Sequence, residues 1–242
     1  MFEGKTIWIT GASSGIGKAL ARALGKVGTQ LVLSGRREDA LSALADEIGP
    51  EKCLVLPFET TDYEALPERV QDAVGFTGAI DGLINNAGIN VADRTLEKLT
   101  PEDWDRVMEI NATGAYNTIH AVLPHMREQG DGVIIAVSSM AGCAPSVLGG
   151  VAYSAAKHAM SVVTKMVDRE EANHGIRACV ISPGEINTPI LDQRPVKVTD
   201  ERKSRMLQPQ DIADAVMYVA TLPARVVIEE MIIKPRGQGS VS

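Results

Sequence analysis

Cysteine is scarce in this chain: Cys53, Cys143 and Cys179 are far apart, odd in number and in no C-x-x-C spacing. That argues against a disulfide framework and a cysteine-based metal site, and the three read as reduced and apolar. The four histidines, His120, His125, His158 and His174, lack ligand spacing too, so no metal is expected. Basic charge is in deficit, with 24 Lys and Arg against 31 Asp and Glu. The net charge of −7 leaves no electrostatic footprint for nucleic acid or an anionic membrane. No apolar run approaches the length of a membrane span, and Met1 to Lys5 does not begin a charged leader, so a cytoplasmic location is the expectation. Internal repeats, low-complexity tracts and linker-like shifts are also missing. With 242 residues, 45% hydrophobic and 23% charged, the chain is sized for one well-packed domain spanning 1–242.

What is present is an alternation of strand and helix signals. Lys5 to Thr10 is a β-branched and aromatic run that stops at Gly11-Ala12-Ser13-Ser14-Gly15-Ile16-Gly17, and Lys18 to Val27 then reads as a helix. Such a loop lets the backbone approach a pyrophosphate, whose charge faces the free N–H groups at the helix start. The spacing is G-x-x-x-G-x-G rather than the commoner G-x-G-x-x-G, and a bare glycine turn is the competing reading. A second strand, Gln30 to Ser34, ends at Gly35-Arg36-Arg37. An acid there would hold a ribose 2′-hydroxyl, whereas arginine accommodates a 2′-phosphate. The expectation is therefore NADP(H), with Arg36 as the main phosphate contact and Arg37 or Ser34 assisting; the alternative is a solvated arginine pair starting the helix 38–48.

Cys53 to Phe58 is a third strand, after which Glu59 and Thr60 are placed to border the adenine, and a helix is expected from Tyr63 to about Val74. Gly82 to Ile84 forms a fourth strand running into Asn85-Asn86-Ala87-Gly88, where adjacent amides suit a brace for the cofactor loop. Thr100-Pro101-Glu102-Asp103 starts a helix that runs to about Leu123, with Pro124 and Gly130 closing it. Asn111 falls in its middle, where asparagine is a poor helix former and so either meets water or has a specific task. Gly132 to Val137 is a fifth strand, unbroken and apolar as in a parallel strand buried on both faces, and it delivers Ser138-Ser139 at its C-terminal end. A sixth strand, Arg177 to Ile181, leads to Ser182-Pro183-Gly184-Glu185-Ile186-Asn187-Thr188. Residues 190–207 lack a clean period and carry Arg194, Lys197, Arg202, Lys203 and Arg205, so 185–208 reads as a lid over the site with one short helix. A final helix opens at Pro209, Met231 to Lys234 is the last strand, and Pro235 to Ser242 reads as a frayed tail. The alternation predicts an α/β doubly wound parallel sheet.

Tyr153 and Lys157, on a helix ending at about Asn173, are one turn apart and project from one face. A phenol titrates near pH ~10, and a fixed positive charge beside it favours phenolate and draws the value toward neutrality. A tyrosine so tuned exchanges a proton with an alcohol or carbonyl oxygen. Tyr and Lys at this spacing also arise from simple packing of a stem beside a ring.

Taken together, Thr10-Gly-Ala-Ser-Ser-Gly-Ile-Gly17, Asn85-Asn-Ala-Gly88, Asn111, Ser138-Ser139, Tyr153-x-x-x-Lys157 and Pro183-Gly184 resemble, in that order, the short-chain dehydrogenase/reductase family. The resemblance implies a Rossmann sheet of about seven strands, NAD(P)-dependent carbonyl and alcohol chemistry, and a homotetramer or homodimer. It makes Tyr153 the general acid/base and Lys157 the group that lowers its pKa and binds the nicotinamide ribose. Ser139 would bond the substrate oxygen, in preference to Ser138, and Asn111 would hold a water relaying protons to Lys157. The cofactor would be lined by Gly11, Ser13, Ser14, Gly15, Ile16, Gly17, Asn86, Ala87, Gly88, Pro183, Gly184, Ile186 and Thr188. The C-terminal part, from Gln208 to Pro235, is similar to serine and 3-hydroxy acid dehydrogenases of the same family, and the basic lid would suit a carboxylate substrate. Glu185 departs from the apolar residue usual after Pro-Gly and would repel an acid or receive a cation. Met140, Cys143, Pro145, Val147, Leu148 and Asn90 would shape the rest of the pocket. Competing readings are a reductase of a larger apolar ketone, a non-catalytic cofactor-sensing protein, and an assembly protein that pairs through Ala155, Ala159, Val162, Val163 and Met166.

Overall fold

The computed structural model describes residues 3–238. Seven strands form one sheet in the order β3-β2-β1-β4-β5-β6-β7, every neighbouring pair parallel. They are β1 Thr6–Thr10, β2 Gln30–Gly35, β3 Cys53–Pro57, β4 Gly82–Asn85, β5 Gly132–Val137, β6 Ile176–Pro183 and β7 Glu230–Ile233. The helices are α1 Gly15–Gly25, α2 Glu38–Ile48, α3 Leu66–Thr77, α4 Pro101–Met108, α5 Gly114–Gln129, α6 Val151–Glu171, α7 Asp200–Ser204 and α8 Pro209–Ala220.

The period-2 alternation of the strands explains why both faces are covered. Ile7, Ile9, Leu31 and Leu33 turn to one face, where they meet Leu20 and Leu24 of α1, Leu41 and Leu44 of α2, and Ile212 and Val216 of α8. Trp8 and Val32 turn to the other and meet Ala73 of α3, Ile119 and Val122 of α5, and Val167 of α6. Successive strands are added toward one edge from β1 to β3 and toward the other from β4 to β7, and this switch leaves a crevice beyond the C-terminal ends of β1 and β4. Among the described residues no helix is long and apolar enough to cross a membrane.

Some boundaries differ from expectation. Helix α1 begins at Gly15, inside the glycine loop. Helix α3 begins at Leu66 rather than Tyr63, with Pro67 in its first turn, where a missing N–H costs nothing. Pro124 does not close α5: the helix passes through it to Gln129 and stops at left-handed Gly130. Between α4 and α5 the chain makes a π-helical turn, Glu109–Thr113, at the position of the anomalous Asn111. The tail is ordered through Gln238, whose side-chain oxygen accepts the Glu185 N–H at 3.0 Å; the remainder of the expected frayed tail lies outside the described residues.

Candidate active site

The sheet's C-terminal edge carries a cleft of about 710 Å³ at the crevice between β1 and β4. Its cofactor end is built on close packing between two loops. Asn86 donates through Nδ2 to the carbonyls of Thr10 and Gly11 (3.1 and 3.2 Å), while the hydroxyl of Thr10 accepts the N–H groups of Asn86 and Ala87 (3.0 and 3.1 Å). A Cβ on Gly17 would stand 2.7 Å from Asn86 Nδ2 and inside contact with the Gly11 carbonyl, so this position takes no side chain. Ser14 caps α1 in extended backbone without a side-chain hydrogen bond, which leaves donors of the first turn for an anion.

Gly11, Ser13, Ser14, Ile16, Arg36, Arg37, Glu59, Thr60, Asn86, Ala87 and Gly88 all line the cleft, as do Pro183, Gly184, Ile186 and Thr188. Gly15 and Gly17 lie behind it and shape the loop. Arg37, not Arg36, is tied to the glycine loop: its Nη2 lies 3.2 Å from both the carbonyl and the hydroxyl of Ser13. Ser34 accepts the Trp8 indole N–H at 2.8 Å and is buried, so its hydroxyl serves the core first.

At the other end, Ser139, Tyr153 and Lys157 converge on the same cleft. Ser139 follows β5 and Tyr153 sits in the first turn of α6; their side chains share a hydrogen bond that favours the phenolate. Burial nevertheless pushes the Tyr153 phenol above its ordinary value, with the Ser139 bond and the charge of Arg94 opposing it. Lys157 is buried, 3% exposed, with Nζ 3.0 Å from the Val137 carbonyl and 5.8 Å from the Tyr153 ring centre. Burial brings its own pKa from the ordinary 10.5 down to about 8. Desolvation thus dominates both groups, and it raises the phenol where the ammonium was expected to lower it. Ser138 takes no part in this group. It too lines the cleft, but its hydroxyl is bonded to Ser161 (2.8 Å) and to the Lys157 carbonyl (3.2 Å).

Asn111 is fully buried, and its amide bonds the backbone of Ile89 twice, accepting from N–H at 2.7 Å and donating to C=O at 2.8 Å. It thereby fixes the Asn86-to-Ile89 segment next to Lys157: a Cβ on Gly88 would lie 3.2 Å from Asn111 Oδ1 and 3.4 Å from Lys157 Nζ.

The chain belongs to the short-chain dehydrogenase family. The family model for short chain dehydrogenase matches residues 5–198. An uncharacterized oxidoreductase of Staphylococcus aureus (strain USA300) is 34% identical over 231 residues, 96% of this chain and 97% of that one. The closed form of a serine dehydrogenase complexed with NADP+ superposes with a TM-score of 0.89 at 28% identity, covering 98% of this chain and 97% of the other. A 3-ketoacyl-(acyl-carrier-protein) reductase from Brucella melitensis complexed with NADH gives 0.86 at 27% identity, covering 97% and 98%. This chain is an oxidoreductase of the family, and the two solved structures just described are complexes with NADP+ and NADH.

The substrate end of this dehydrogenase differs from the sequence expectation in three ways. Cys143 is not an apolar pocket wall: its thiol lies 3.1 Å from Glu230 Oε1, in a polar cluster with Ser182 and Lys165 away from the cleft. Val147 is 94% exposed, and neither it nor Pro145 lines the cleft, whereas Met140, Leu148 and Asn90 do. The charge of Glu185 is already matched, with Arg202 at 2.8 Å and Arg194 at 3.5 Å. Arg205 pairs with Glu201 and Lys203 with Asp200, so four of the five basic residues of 190–207 have acidic partners.

Sequence reasoning missed Arg94, the Gly149-Gly150 pair and Gln238. Arg94 is 7% exposed and lines the cleft. Gly150 stands at φ +83°, where a Cβ would lie 2.6 Å from the Arg94 carbonyl, and a Cβ on Gly149 would lie 3.2 Å from Tyr153 Cδ1. The double glycine directly before a helix is a signal that a close approach occurs there. Arg94 offers only its place in the loop after a strand's C-terminal end.

Proposed function

We propose that this short-chain dehydrogenase is NADP(H)-dependent and moves a hydride between the nicotinamide and a small alcohol or carbonyl substrate, with Tyr153 as general acid/base. A 3-hydroxy acid or related carboxylate is within the substrate class. The observation that carries the reading is the convergence of Ser139, Tyr153 and Lys157 on one cleft whose opposite end is a glycine cradle under a helix start. The cradle fits a dinucleotide: Cβ atoms at Gly11 and Gly17 would collide with neighbouring loop atoms, and the open donors of α1 suit a pyrophosphate. Gly11 to Gly17 with Asn86, Ala87 and Gly88 would hold the phosphates and ribose, Glu59 and Thr60 the adenine, and Pro183, Gly184, Ile186 and Thr188 the nicotinamide. Arg37, already at Ser13, and Arg36 would take the 2′-phosphate. NADP+ bound there supplies an acceptor for the two electrons and one proton that leave an alcohol's C–H bond as hydride; the hydroxyl proton leaves separately.

The chain's residues handle that second proton. Ser139 holds the substrate oxygen and Tyr153 donates to it in the reductive direction or accepts from it in the oxidative one. Lys157 binds the ribose hydroxyls, and Asn111 holds a water that relays protons to it. Segment 185–208 acts as a lid, and the exposed Val162 and Met166 on α6 serve a homodimer or homotetramer of a cytoplasmic enzyme. The larger apolar ketone is disfavoured by the charged groups at the cleft's substrate end, Arg94, Glu185 and Arg194.

The test is NADP+ reduction at alkaline pH with hydroxy acids, L-serine, secondary alcohols and hydroxysteroids, alongside Tyr153→Phe. Expected is turnover that falls at least ~100-fold in the variant, as for loss of a general acid/base, with NADPH affinity retained. Full activity in Tyr153→Phe would overturn the role of Tyr153, and equal Kd values for NADPH and NADH would overturn the cofactor preference.

A further inference from the structure

One charged group in the cleft takes no part in the proton chemistry above. Arg94 lies in the loop after β4 and is 7% exposed. Its Nη1 donates to the Leu148 carbonyl at 3.2 Å and its Nη2 donates to the Gln193 carbonyl, but its Nε is buried without a partner. Among the described residues no carboxylate lies within salt-bridge distance of it. The adjacent Asp93 is exposed, and Glu185 is taken by Arg194 and Arg202. Burial lowers the Arg94 pKa, the like charge of Arg194 adds to this, and Tyr153 opposes it.

Taking a guanidinium out of water without a counter-charge is costly, and folds otherwise pair such groups. Two backbone carbonyls do not require it. Hydrogen bonds to two neutral carbonyls do not offset the desolvation of a charge as a carboxylate would. What a guanidinium adds is a planar edge of donors that grips a carboxylate in two places. Arg94 uses two of its five N–H donors on the carbonyls. The remaining donors include Nε, and Arg94 lines the cleft beside Tyr153, separated from it by the cramped Gly149-Gly150 pair.

We propose that Arg94 is the carboxylate anchor of the substrate pocket, so that the substrate is a small hydroxy acid or the corresponding oxo acid. This rests on the oxidoreductase reading above, and it moves carboxylate recognition from the basic residues of 190–207, most of which are paired, to a residue outside that segment. Gln193 in turn couples the anchor to the segment: the carbonyl held by Arg94 belongs to the turn that also presents Arg194.

The experiment compares 3-hydroxypropionate, 3-hydroxybutyrate and L-serine, each beside its methyl ester, as substrates with NADP+. Wild type, Arg94→Gln and Arg94→Lys are run together. Gln removes the charge and, being shorter, also gives up the two carbonyls, a loss that acid and ester share; Lys keeps the charge and removes the fork. The expected result is a wild-type preference for acid over ester, and an acid-to-ester ratio of kcat/KM about 10- to 100-fold lower in Arg94→Gln, as for loss of a hydrogen bond to a charged group. Arg94→Lys restores part of the ratio. A wild-type preference for the esters, or acid and ester falling in equal proportion in Arg94→Gln, would show a structural clamp only and overturn the proposal. If no compound turns over, calorimetric titration of butyrate into the NADP+ complex decides: binding to wild type that is lost in Arg94→Gln supports the anchor, and absence of millimolar binding to wild type overturns it. Tyr153→Phe separates the two readings. Retained turnover there sinks the general acid/base while the Arg94 ratio stands, and lost turnover with an unchanged ratio in Arg94→Gln sinks the anchor alone.

Discussion

Replacing Lys157 with methionine should stabilise the fold at neutral pH while abolishing the proton chemistry. The ammonium is 3% exposed, and burial lowers its pKa from the ordinary 10.5 to about 8. The difference corresponds to about 3 kcal/mol by which the native state disfavours the charged form. Methionine fills a similar volume without that charge, but it leaves the Val137 carbonyl without the donor now 3.0 Å away, which costs about 1 kcal/mol. The balance is a gain of about 2 kcal/mol at pH 7, or roughly 4–8 °C in Tm for a chain of this length. The sign follows from proton counts. Below pH 8 the lysine is charged in both states and the native state bears the whole penalty. Between 8 and 10.5 the unfolded chain binds more protons than the folded one, so wild type gains stability relative to the variant as pH rises. The gap should therefore narrow toward pH 10, and the other titrating groups cancel because they are common to both proteins. Thermal unfolding of the pair at pH 7, 8.5 and 10 measures it. A variant less stable than wild type at pH 7, or a gap that does not change with pH, would refute the reasoning.

Three further perturbations test the packing and the cofactor reading. Gly17→Ala places a methyl inside contact with the Gly11 carbonyl and 2.7 Å from Asn86 Nδ2; overpacking of that kind costs about 1–3 kcal/mol, and calorimetry should show a lower Tm with weaker NADPH binding. Gly150→Ala combines a φ of +83° with a Cβ 2.6 Å from the Arg94 carbonyl, so a destabilisation of about 1–3 kcal/mol is expected, visible as a drop of several degrees by differential scanning fluorimetry; an unchanged Tm would mean that the loop relaxes freely. Arg37→Met should weaken NADPH roughly tenfold, as for an exposed charge-assisted contact, and leave NADH nearly unchanged in fluorescence titrations; equal losses for both cofactors would count against the 2′-phosphate role.

Much of the fold and part of the site were legible because their signals are local. Alternating runs such as Thr6-Ile7-Trp8-Ile9 carry the two-faced burial of a parallel strand in their period, and Gly11 to Gly17 carries the need for backbone approach in its composition. Helix ends were less legible where tertiary contact overrode propensity: Pro124 is absorbed within α5, and the π-turn at Asn111 is set by what its amide must reach on Ile89. Cys143 and Val147 looked like pocket walls from their position after Ser139, yet one turns to Glu230 and the other to solvent. Nothing in a loop's sequence states which way it faces.

The order of motifs along the chain, by itself, determined the family and the strand–helix alternation, because each of those depends on spacing within one element or on the end of one strand. Only the tertiary structure decided the electrostatics. Whether Tyr153 is drawn down by Lys157 or pushed up by burial, whether Glu185 is free or held by two arginines, and whether Arg94 is solvated or buried without an acid all depend on desolvation and on partners tens of residues away. Those quantities exist only once the chain has closed around them.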